Sequence, residues 1–380
     1  MRIAICGMGL RAIHLASIFK HEMPEIEFVG FYDEGTPETG WQDGPEIPEF
    51  DTLEGMLETT KPDLLFVTSP NHKHLGHIRI GLEAGVRIFS EKPVVTTLED
   101  TFALAELLKE HGTDRVIIGL VLRYSNHARD LNAALEAGQI GPIASIEASE
   151  YIAPYHGAFF MRDWRRKDEY SGGFMLEKCC HDLDLYNMAT NSRPVRVASF
   201  GGRRSFLPEH KPAEGVDDAI YHVKESRWES QDDPFNVDGD IVDQQSAILE
   251  YESGASMTFH TNSNVPDEHR RFCVIGAKGM AEGDFIRGYM RVTDARTGKR
   301  LQDDQYKDDE GLLGAHYGAD HLMVKDIVAH LRGANEKLPV GVVDAMVAGI
   351  AAMAIDESRH TGKVVDLTPY WAKFDAYKLS

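Results

Sequence analysis

Short apolar runs alternate with longer amphipathic stretches through the first third of the chain. The apolar runs are typical of strands buried on both faces, and the stretches between them place apolar residues at helical spacing. The predicted strands cover residues 2–6, 27–33, 62–68, 85–89 and 115–120. This alternation of strand and helix, with short connections, predicts a doubly wound α/β fold around a parallel sheet.

The pattern changes after Gly141 and Pro142. Residues 143–151 alternate between apolar and polar side chains, as in a sheet with one buried face. Further strand-like segments lie at residues 194–201, 244–251, 255–261 and 271–275, without regular helices between them. This half is therefore predicted to be an α+β domain with a large open, mainly antiparallel sheet.

Two domains are expected for a chain of 380 residues. We predict a first domain over residues 1–122 and a second over 123–380. Helical periodicity returns at residues 316–331 and 342–360, and the last helix could pack back near the first domain. Residues 208–240 are rich in acids and poor in apolar periodicity. They are predicted to form a long excursion: a lid, an interface arm or a plain loop.

Composition restricts the partners. The formal net charge of −21 argues against nucleic acid and anionic membranes, because both require a basic surface. No apolar run reaches membrane-spanning length, and the first residues lack the layout of a signal peptide. The four cysteines follow neither a disulfide framework nor a zinc spacing. We therefore expect reduced thiols in a cytoplasmic protein.

A glycine-rich turn directly follows the first predicted strand. It has the Gly-x-Gly-x-x-Ala pattern of a dinucleotide-binding loop, in which the glycines allow a tight turn and close approach to a pyrophosphate. The following helix would direct free N–H groups and a positive dipole end at the phosphates. The residues of this loop are Gly7, Met8, Gly9, Leu10, Arg11 and Ala12.

The end of the second strand carries two acids. Asp33 lies roughly twenty residues beyond the glycines, where an acid can bond the ribose hydroxyls of the cofactor. Glu34 adds negative charge that would repel a ribose phosphate, so NAD is favoured over NADP. Arg11 counts slightly against this preference, because an arginine in the loop could meet a phosphate.

Two further strand ends carry polar residues. Residues 68–71 follow the third strand and could border the dinucleotide; they are Thr68, Ser69, Pro70 and Asn71. Lys92, in Ser90-Glu91-Lys92-Pro93, would sit at the carboxyl end of the sheet, where such sheets hold their ligands. The alternative is a lysine in solvent. His72, His74 and His77 could bind a metal, but no local carboxylate or cysteine completes a site, so histidines that cap the helix or face solvent are favoured.

Glu177, His181 and Asp184 have the spacing of one helical stripe. A carboxylate beside a histidine can orient the imidazole and raise its pKa, which suits a general acid or base. A solvated face with an ion pair is the alternative, and a metal site is a third. We predict that no metal is bound.

These motifs resemble those of the Gfo/Idh/MocA oxidoreductases. The resemblance rests on the following features: Gly7-x-Gly9, Thr68-x-Pro70-Asn71-x-x-His74, Glu91-Lys92-Pro93, Arg123-Tyr124, Trp164-Arg165, Gly172-Gly173, the carboxylate-x-x-x-His181-x-x-Asp184 spacing, Gly276-x-Lys278-Gly279, residues 316–320 and Glu357-Ser358-x-x-Thr361-Gly362-Lys363. Members commonly have aspartate where Glu177 stands, and Lys178-Cys179-Cys180 replaces more usual apolar and glycine residues.

The resemblance implies an N-terminal Rossmann domain, a homodimer or homotetramer built through the second sheet, and NAD(P)-dependent redox chemistry on sugars or polyols. The predicted cofactor-binding set comprises the glycine-rich loop with Asp33, Thr68, Ser69, Pro70, Asn71, His74, Glu91, Lys92, Pro93 and Arg165. The predicted substrate-binding residues are Asp184, Arg123, Tyr124, Tyr155, His156 and Trp164.

The leading hypothesis is oxidation of a secondary alcohol on a sugar, polyol or inositol-like substrate. His181 is the predicted base, Lys92 orients the hydroxyl and relays its proton, and Glu177 positions the imidazole. One alternative is a redox-neutral glycosidase that uses transient oxidation and elimination. A second alternative is a non-catalytic NAD-binding regulator, against which the presence of Lys92 and His181 argues.

Overall fold

A computed structural model describes residues 1–35, 47–224, 230–306, 315–335 and 337–379. The chain divides into two compact units. The first consists of Met1–Ser125, Leu312–Gly349 and Ala372–Ser380, and the second of Asn126–Gly311 and Ile350–Trp371. The sequence predicted a single boundary after residue 122, whereas the structure places two later segments in the first unit.

The first unit contains a five-stranded parallel sheet in the order β2-β1-β3-β4-β5. Its strands are β1 Arg2–Cys6, β2 Glu27–Tyr32, β3 Leu64–Val67, β4 Arg87–Ser90 and β5 Val116–Ile118. Its first helices are α1 Leu10–Glu22, α2 Leu53–Thr60, α3 His74–Glu83 and α4 Leu98–His111. The predicted doubly wound α/β architecture is confirmed.

Local chemistry explains where these helices begin and what they cover. The hydroxyls of Thr52 and Thr97 accept hydrogen bonds from backbone N–H groups in the first turns of α2 and α4. Phe19 of α1 packs edge-on against Phe66 of β3, with ring centroids 5.0 Å apart, and Phe66 lies 5.2 Å from Phe89 of β4. These aromatic contacts fix helix α1 against the strands whose ends carry the predicted site.

The second unit contains a nine-stranded sheet in the order β13-β12-β11-β10-β6-β9-β8-β7-β14. Its pairs are antiparallel except β6 with β9, which is parallel. The strands are β6 Ile143–Tyr151, β7 Pro194–Gly202, β8 Gln244–Tyr251, β9 Ser256–Asn262, β10 His269–Gly276, β11 Gly279–Asp284, β12 Tyr289–Asp294, β13 Arg300–Gln305 and β14 Val365–Asp366. The predicted large, mainly antiparallel sheet is confirmed.

Helices also lie within this half of the chain. They are α5 Asn126–Glu136, α6 Pro154–Arg162, α7 Asp168–Ser171 and α8 Phe174–Thr190, and the later helices are α9 Ala319–Leu331, α10 Val342–Thr361 and α11 Thr368–Asp375. Among the described residues, none of the helices has both the length and the apolar character needed to cross a membrane.

Two sequence-based expectations need correction. Strands β11, β12 and β13 were not predicted, because they are short and, as in the largely exposed β13, rich in acids. The helix expected from His316 begins only at Ala319. His316 and Tyr317 have φ of 56° and 58°, and this left-handed backbone cannot continue an α-helix.

The structure describes residues 208–224 and 230–240 of the predicted excursion over residues 208–240, and part of the described segment packs on α6. It contains two short 3₁₀ turns, Pro208–His210 and Ala219–His222. Rings from this segment, Tyr221 and Phe235, pack around Phe206 with centroid distances of 6.1 and 5.6 Å. The excursion is therefore anchored by an aromatic cluster of its own.

Candidate active site

The order of the first sheet creates a crevice at one edge. The direction of chain progression reverses between β1 and β3, and ligands of open α/β sheets bind at such a switch point. The loops that leave β1 and β3 carry Gly7–Ala12 and Thr68–Asn71. The structure therefore brings these two predicted cofactor segments to adjacent strand ends.

Glycine is required where the two loops meet. Gly7 has φ of +90°, and a Cβ there would lie 2.3 Å from the backbone nitrogen of Ser69. Thr68 ties the loops together, since its hydroxyl donates to the carbonyl of Gly7 at 2.7 Å. Gly9, at the start of α1, has open space where its Cβ would be, and no side chain caps that helix end. The loop therefore fits a pyrophosphate bound by backbone N–H groups.

The carboxylate of Asp33 holds the same loop. One oxygen accepts from the Met8 N–H at 2.6 Å, and the other accepts from the Gly35 N–H at 2.7 Å. Glu34 beside it lies 2.9 Å from the ammonium of Lys73. Partial burial opposes ionisation of Glu34, but Lys73 and His77 outweigh it and lower the pKa of Glu34. This edge of the sheet therefore carries two acids, of which Glu34 is paired with Lys73.

Arg11 is held between two carboxylates. Its Nε donates to Glu91 Oε1 at 2.8 Å, and its Nη2 lies 2.8 Å from Asp320 Oδ1. We call Arg11, Glu91 and Asp320 the Arg11 clamp. Burial opposes the charged form of Arg11, but Glu91 and Asp320 outweigh that effect and raise its pKa. Residues 316–320 are among the motifs that carry the family resemblance, but the sequence did not indicate that Asp320, on α9, pairs with Arg11.

His74 joins the ends of β3 and β4. Its Nδ1 lies 2.7 Å from the Pro93 carbonyl and its Nε2 lies 2.8 Å from the Ser69 carbonyl. Burial lowers the pKa of His74, although the two carbonyl contacts oppose this. A neutral imidazole can donate to only one of them. The structure gives His74 a bridging position, and its contact with a cofactor stays a prediction.

Lys92 lies two residues beyond the end of β4. The peptide bond between Lys92 and Pro93 is cis, and both neighbours of Lys92 in the chain are buried. The backbone N–H of Lys92 donates to Glu91 Oε2 at 3.2 Å, so the Arg11 clamp also supports this turn. The Lys92 side chain is half-buried at the carboxyl end of the sheet.

Helix α8 carries the predicted acid–base stripe. It begins after Gly172 and Gly173, whose φ values are 82° and 90°. A Cβ on Gly173 would lie 2.5 Å from an Asp356 carboxylate oxygen, so the close approach requires glycine. Glu177, His181 and Asp184 expose only 4%, 2% and 2% of their surface. Since all three are buried, the alternative of a solvated ion-pair face is wrong.

Glu177 is bound to an arginine. Arg165 Nε donates to Glu177 Oε1 at 2.8 Å, and Arg165 Nη1 donates to Asp163 Oδ1 at 2.7 Å. The guanidinium also lies 4.3 Å from the centroid of the Trp164 ring. We call Asp163, Arg165 and Glu177 the Arg165 clamp. It provides Glu177 with a fixed cationic partner, which the sequence did not indicate.

The opposite side of α8 is anchored by a buried ion network. Arg270 of β10 donates through Nε to Asp182 Oδ1 at 2.9 Å, and its Nη1 lies 3.2 Å from Glu150 of β6. Lys178 lies 3.4 Å from the same Glu150 oxygen. Burial opposes ionisation of Glu150, but Arg270 and Lys178 outweigh it and lower its pKa. The network fixes α8 against two strands, and sequence reasoning did not anticipate it.

The remaining predicted substrate residues fall in both units. Arg123 donates to the Pro339 carbonyl at 3.2 Å, and Tyr124 is fully buried. Tyr155 and His156 lie on α6 with stacked rings 6.1 Å apart. In the part of the chain that the structure describes, no group of three or more histidine, cysteine or acidic side chains could hold a metal. The four cysteines are all free.

Comparison with known proteins identifies the class. Residues 1–139 match the model of an oxidoreductase family with an NAD-binding Rossmann fold. Residues 128–282 match the model of the GFO/IDH/MocA C-terminal domain. The chain is thus an NAD(P)-dependent oxidoreductase, as predicted. It belongs to the Gfo/Idh/MocA family.

Relatives match over most of the chain. YteT of Bacillus subtilis (strain 168) is 24% identical over 377 residues, covering 86% of this chain and 88% of YteT. The scyllo-inositol 2-dehydrogenase (NAD(+)) of the same organism is 24% identical and covers 73% of this chain and 72% of its own. A 2,7-anhydro-N-acetylneuraminate hydratase of Mediterraneibacter gnavus is 23% identical, covering 83% and 76%.

Solved structures share the fold. A levoglucosan dehydrogenase in complex with NADH and levoglucosan superposes with a TM-score of 0.75 at 16% identity, covering 97% of this chain and 99% of that one. The myo-inositol 2-dehydrogenase of Lactobacillus plantarum superposes with a TM-score of 0.71 at 18% identity, covering 96% and 99%. At these identities the likeness establishes the architecture alone.

Proposed function

We propose that the protein oxidises a secondary alcohol of a sugar, polyol or inositol-like compound with NAD as hydride acceptor. The observation that carries the proposal is the buried stripe of Glu177, His181 and Asp184 on α8. A buried imidazole that shares a helical stripe with two buried carboxylates is suited to accept a hydroxyl proton. Dehydrogenases of inositol and of levoglucosan among the similar proteins support this substrate class.

Two side chains are proposed to handle the proton of the reacting hydroxyl. His181 acts as the base, and Asp184 binds neighbouring hydroxyls of the substrate. Lys92 orients the reacting hydroxyl, stabilises developing negative charge on its oxygen and relays the proton. The bound cofactor supplies the nicotinamide ring that accepts hydride. Glu177, held by Arg165 at 2.8 Å, positions the imidazole.

NAD is the proposed cofactor rather than NADP. The acids at the end of β2 would repel a phosphate on the ribose, and Asp33 is placed to accept from ribose hydroxyls. Arg11 is committed to Glu91 and Asp320, so it is not available to neutralise such a phosphate. Matched titrations with NADH and NADPH test this preference, and tighter binding of NADPH would contradict it.

The proposal is tested by removing each proton-handling group. A panel of inositols, aldoses and anhydrosugars is offered with NAD, and NADH formation is read by absorbance. Lys92→Ala and His181→Asn should each lower kcat about 100- to 10,000-fold, the range of general acid–base contributions. Binding of NADH, measured by calorimetry, should be retained. Lys109→Ala, an exposed residue of α4, serves as the matched control.

Retention of turnover in either variant would contradict the assigned roles. Tight NADH binding by the wild-type protein, without turnover on any member of the panel, would count against the reaction and favour a regulator. Turnover assays and NADH calorimetry together therefore distinguish a loss of proton transfer from a loss of cofactor binding.

A second candidate is a reaction without net oxidation. A hydratase stands among the relatives, and addition of water needs no net hydride transfer. The same buried stripe could then serve transient oxidation followed by elimination, as in a redox-neutral glycosidase. Product release from nitrophenyl glycosides without added NAD and without NADH accumulation would favour this candidate over the dehydrogenase.

Assembly through the second sheet is also proposed. Phe200 of β7 and Ile248 of β8 expose 74% and 59% of their surface on this sheet. Burying them would favour a homodimer or homotetramer. Light scattering of the purified protein tests this, and a monomeric mass at micromolar concentration would contradict it.

A further inference from the structure

The ammonium group of Lys224 lies above two aromatic rings of α6. Its Nζ is 5.5 Å from the ring centroid of Tyr155 and 5.6 Å from that of Phe159. The side chain is half-buried, and its backbone carbonyl accepts a hydrogen bond from Arg162. The Gln231 N–H donates to the Arg162 carbonyl at 2.8 Å. Lys224 and Gln231 are therefore both hydrogen-bonded to Arg162, the last residue of α6. Lys224 is therefore held in place rather than projecting freely.

Lys224 is linked to helix α8 through the ring of Phe159, which Arg165 also contacts. The guanidinium of Arg165 lies 5.3 Å from the centroid of the same Phe159 ring. Arg165 in turn bonds Glu177, four residues before His181. Lys224 and the stripe on α8 therefore belong to the same unit and are connected through Phe159, Arg165 and Glu177.

The cations near Lys224 have carboxylate partners, whereas the Lys224 ammonium faces aromatic rings. Arg165 is shared between Asp163 and Glu177, and Lys178 is bound to Glu150. In the described parts of the chain, the Lys224 ammonium lies over two aromatic rings and forms no ion pair with a carboxylate. Burial, Lys178 and Arg165 lower the pKa of Lys224 to about 8, and Glu268 opposes this only in part. An anion brought to this ammonium would offset both its desolvation and its repulsion.

We propose that Lys224 binds the carboxylate of an acidic sugar, so that the substrate class is the uronates and related sugar acids. The inference rests on the proposed function, because it treats the α8 stripe as the place where the sugar reacts. The rings of Tyr155 and Phe159 supply the apolar surface against which a sugar ring packs. The ammonium supplies a charge-assisted hydrogen bond that a neutral sugar cannot use.

Matched substrates and variants test this proposal. D-glucuronate and D-galacturonate are compared with D-glucose, D-galactose and glucuronamide at pH 7. Lys224→Met should lower kcat/KM for the uronates about 10- to 100-fold, the effect of losing one hydrogen bond to a charged group. It should leave the neutral sugars and the amide unchanged. Lys224→Arg should keep most of the uronate preference because it keeps the charge.

Lys211→Ala is the control on the same excursion. Lys211 is exposed and pairs with Asp233 at 2.6 Å, so its removal should not change the uronate preference. The pH dependence provides a further readout. The Lys224 ammonium loses its proton as pH rises through about 8, so KM for uronates should rise above that pH in the wild type. Lys224→Arg should abolish this rise, since a guanidinium stays protonated.

The outcomes distinguish this inference from the proposed function. Oxidation of neutral polyols by a protein that neither binds nor oxidises uronates would overturn the inference and leave the proposed function intact. Calorimetric binding of uronates to the NADH-loaded protein that is lost in Lys224→Met, without turnover, would support the inference while contradicting the proposed reaction. If Lys224→Met left kcat/KM unchanged for every uronate, the carboxylate assignment would be overturned. Glucose 6-phosphate is tested beside the uronates, and a stronger Lys224-dependent preference for this phosphate would also overturn the assignment.

Discussion

Arg11 in the first unit and Arg165 in the second are each held between two carboxylates, but the two clamps are built from different parts of the chain. The Arg11 clamp joins a helix start, a strand end and a distant helix, and Glu91 lies 80 residues from Arg11. The Arg165 clamp is assembled from residues within one short segment and the start of α8. Each clamp includes a carboxylate close in sequence to a proposed proton-handling residue.

The difference suggests two purposes. Asp320 is only 1% exposed and contacts His14 at 3.2 Å and His316 at 3.0 Å in addition to Arg11, so several segments depend on it. Arg165 is 26% exposed and rests on the rings of Trp164 and Phe159. The Arg11 clamp should therefore matter most for stability, and the Arg165 clamp for activity.

Removing Asp320 should have the largest effect on stability. Asp320→Ala leaves the buried side of Arg11 without its carboxylate, and breaking a buried pair typically costs about 3–5 kcal/mol. The free energy of unfolding is measured in urea, with Lys325→Ala, an exposed change on α9, as the control. The double variant Arg11→Met/Asp320→Ala should recover part of the loss. Equal effects of Asp320→Ala and Lys325→Ala would contradict the assignment.

Acid should affect the clamps in opposite directions. Burial opposes ionisation of Asp320, but the charges of His316 and Arg11 outweigh it and lower its pKa below the unfolded value of about 3.9. The stability it contributes is present above about pH 4 and is lost as pH falls further. Burial raises the pKa of Asp163, against the opposing effect of Arg165. Its contribution is therefore largest below about pH 4 and is lost as pH rises through the folded pKa.

Urea midpoints between pH 7 and pH 3 measure these opposite slopes. Asp320→Asn should reduce the loss of stability in acid, and Asp163→Asn should increase it. Each proton contributes a slope of at most about 1.4 kcal/mol per pH unit. If both variants shifted the curve in the same direction, the contrast between the clamps would be wrong.

Removing Arg165 should lower activity more than stability. Arg165→Met leaves Glu177 buried without its cation, so we expect kcat to fall about 10- to 100-fold through misplacement of the imidazole. A cycle with Glu177→Gln separates two roles. If Arg165 acts through Glu177, the double variant should be no worse than the worse single one. An independent rise in KM for NAD would instead support the predicted contact of Arg165 with the cofactor.

The smallest effect is expected from Glu177→Asp. The shorter side chain withdraws the carboxylate from Arg165 by about one C–C bond, so the 2.8 Å contact is lengthened but the charge remains. We expect a few-fold loss in kcat, with a KM for the sugar close to that of the wild type. A loss as large as that of His181→Asn would mean that Glu177 takes part in the proton transfer directly.

Sequence alone predicted the elements whose signals are local. The glycine-rich loop, strands β1 to β10 and the stripe on α8 each follow from a motif or a period within one short segment. The contacts of Asp320 could not be predicted, because His14, one of its partners, is 306 residues away. The role of Arg270 was missed for the same reason, since its partners Glu150 and Asp182 come from other elements. A single arginine in a strand also gives no pattern of polar and apolar residues that would mark it as buried.

Asp33 has a consequence for engineering cofactor preference. The usual approach is to replace the acid at the end of β2 by a small or basic residue so that a ribose phosphate is accepted. Here the same carboxylate accepts a hydrogen bond from the Met8 N–H at 2.6 Å and so braces the turn that is proposed to contact the pyrophosphate. A swap at Asp33 would therefore loosen the hold on both cofactors at once. Redesign should begin at Glu34, whose carboxylate contacts Lys73 and His77 rather than the glycine-rich loop, and should leave Asp33 in place.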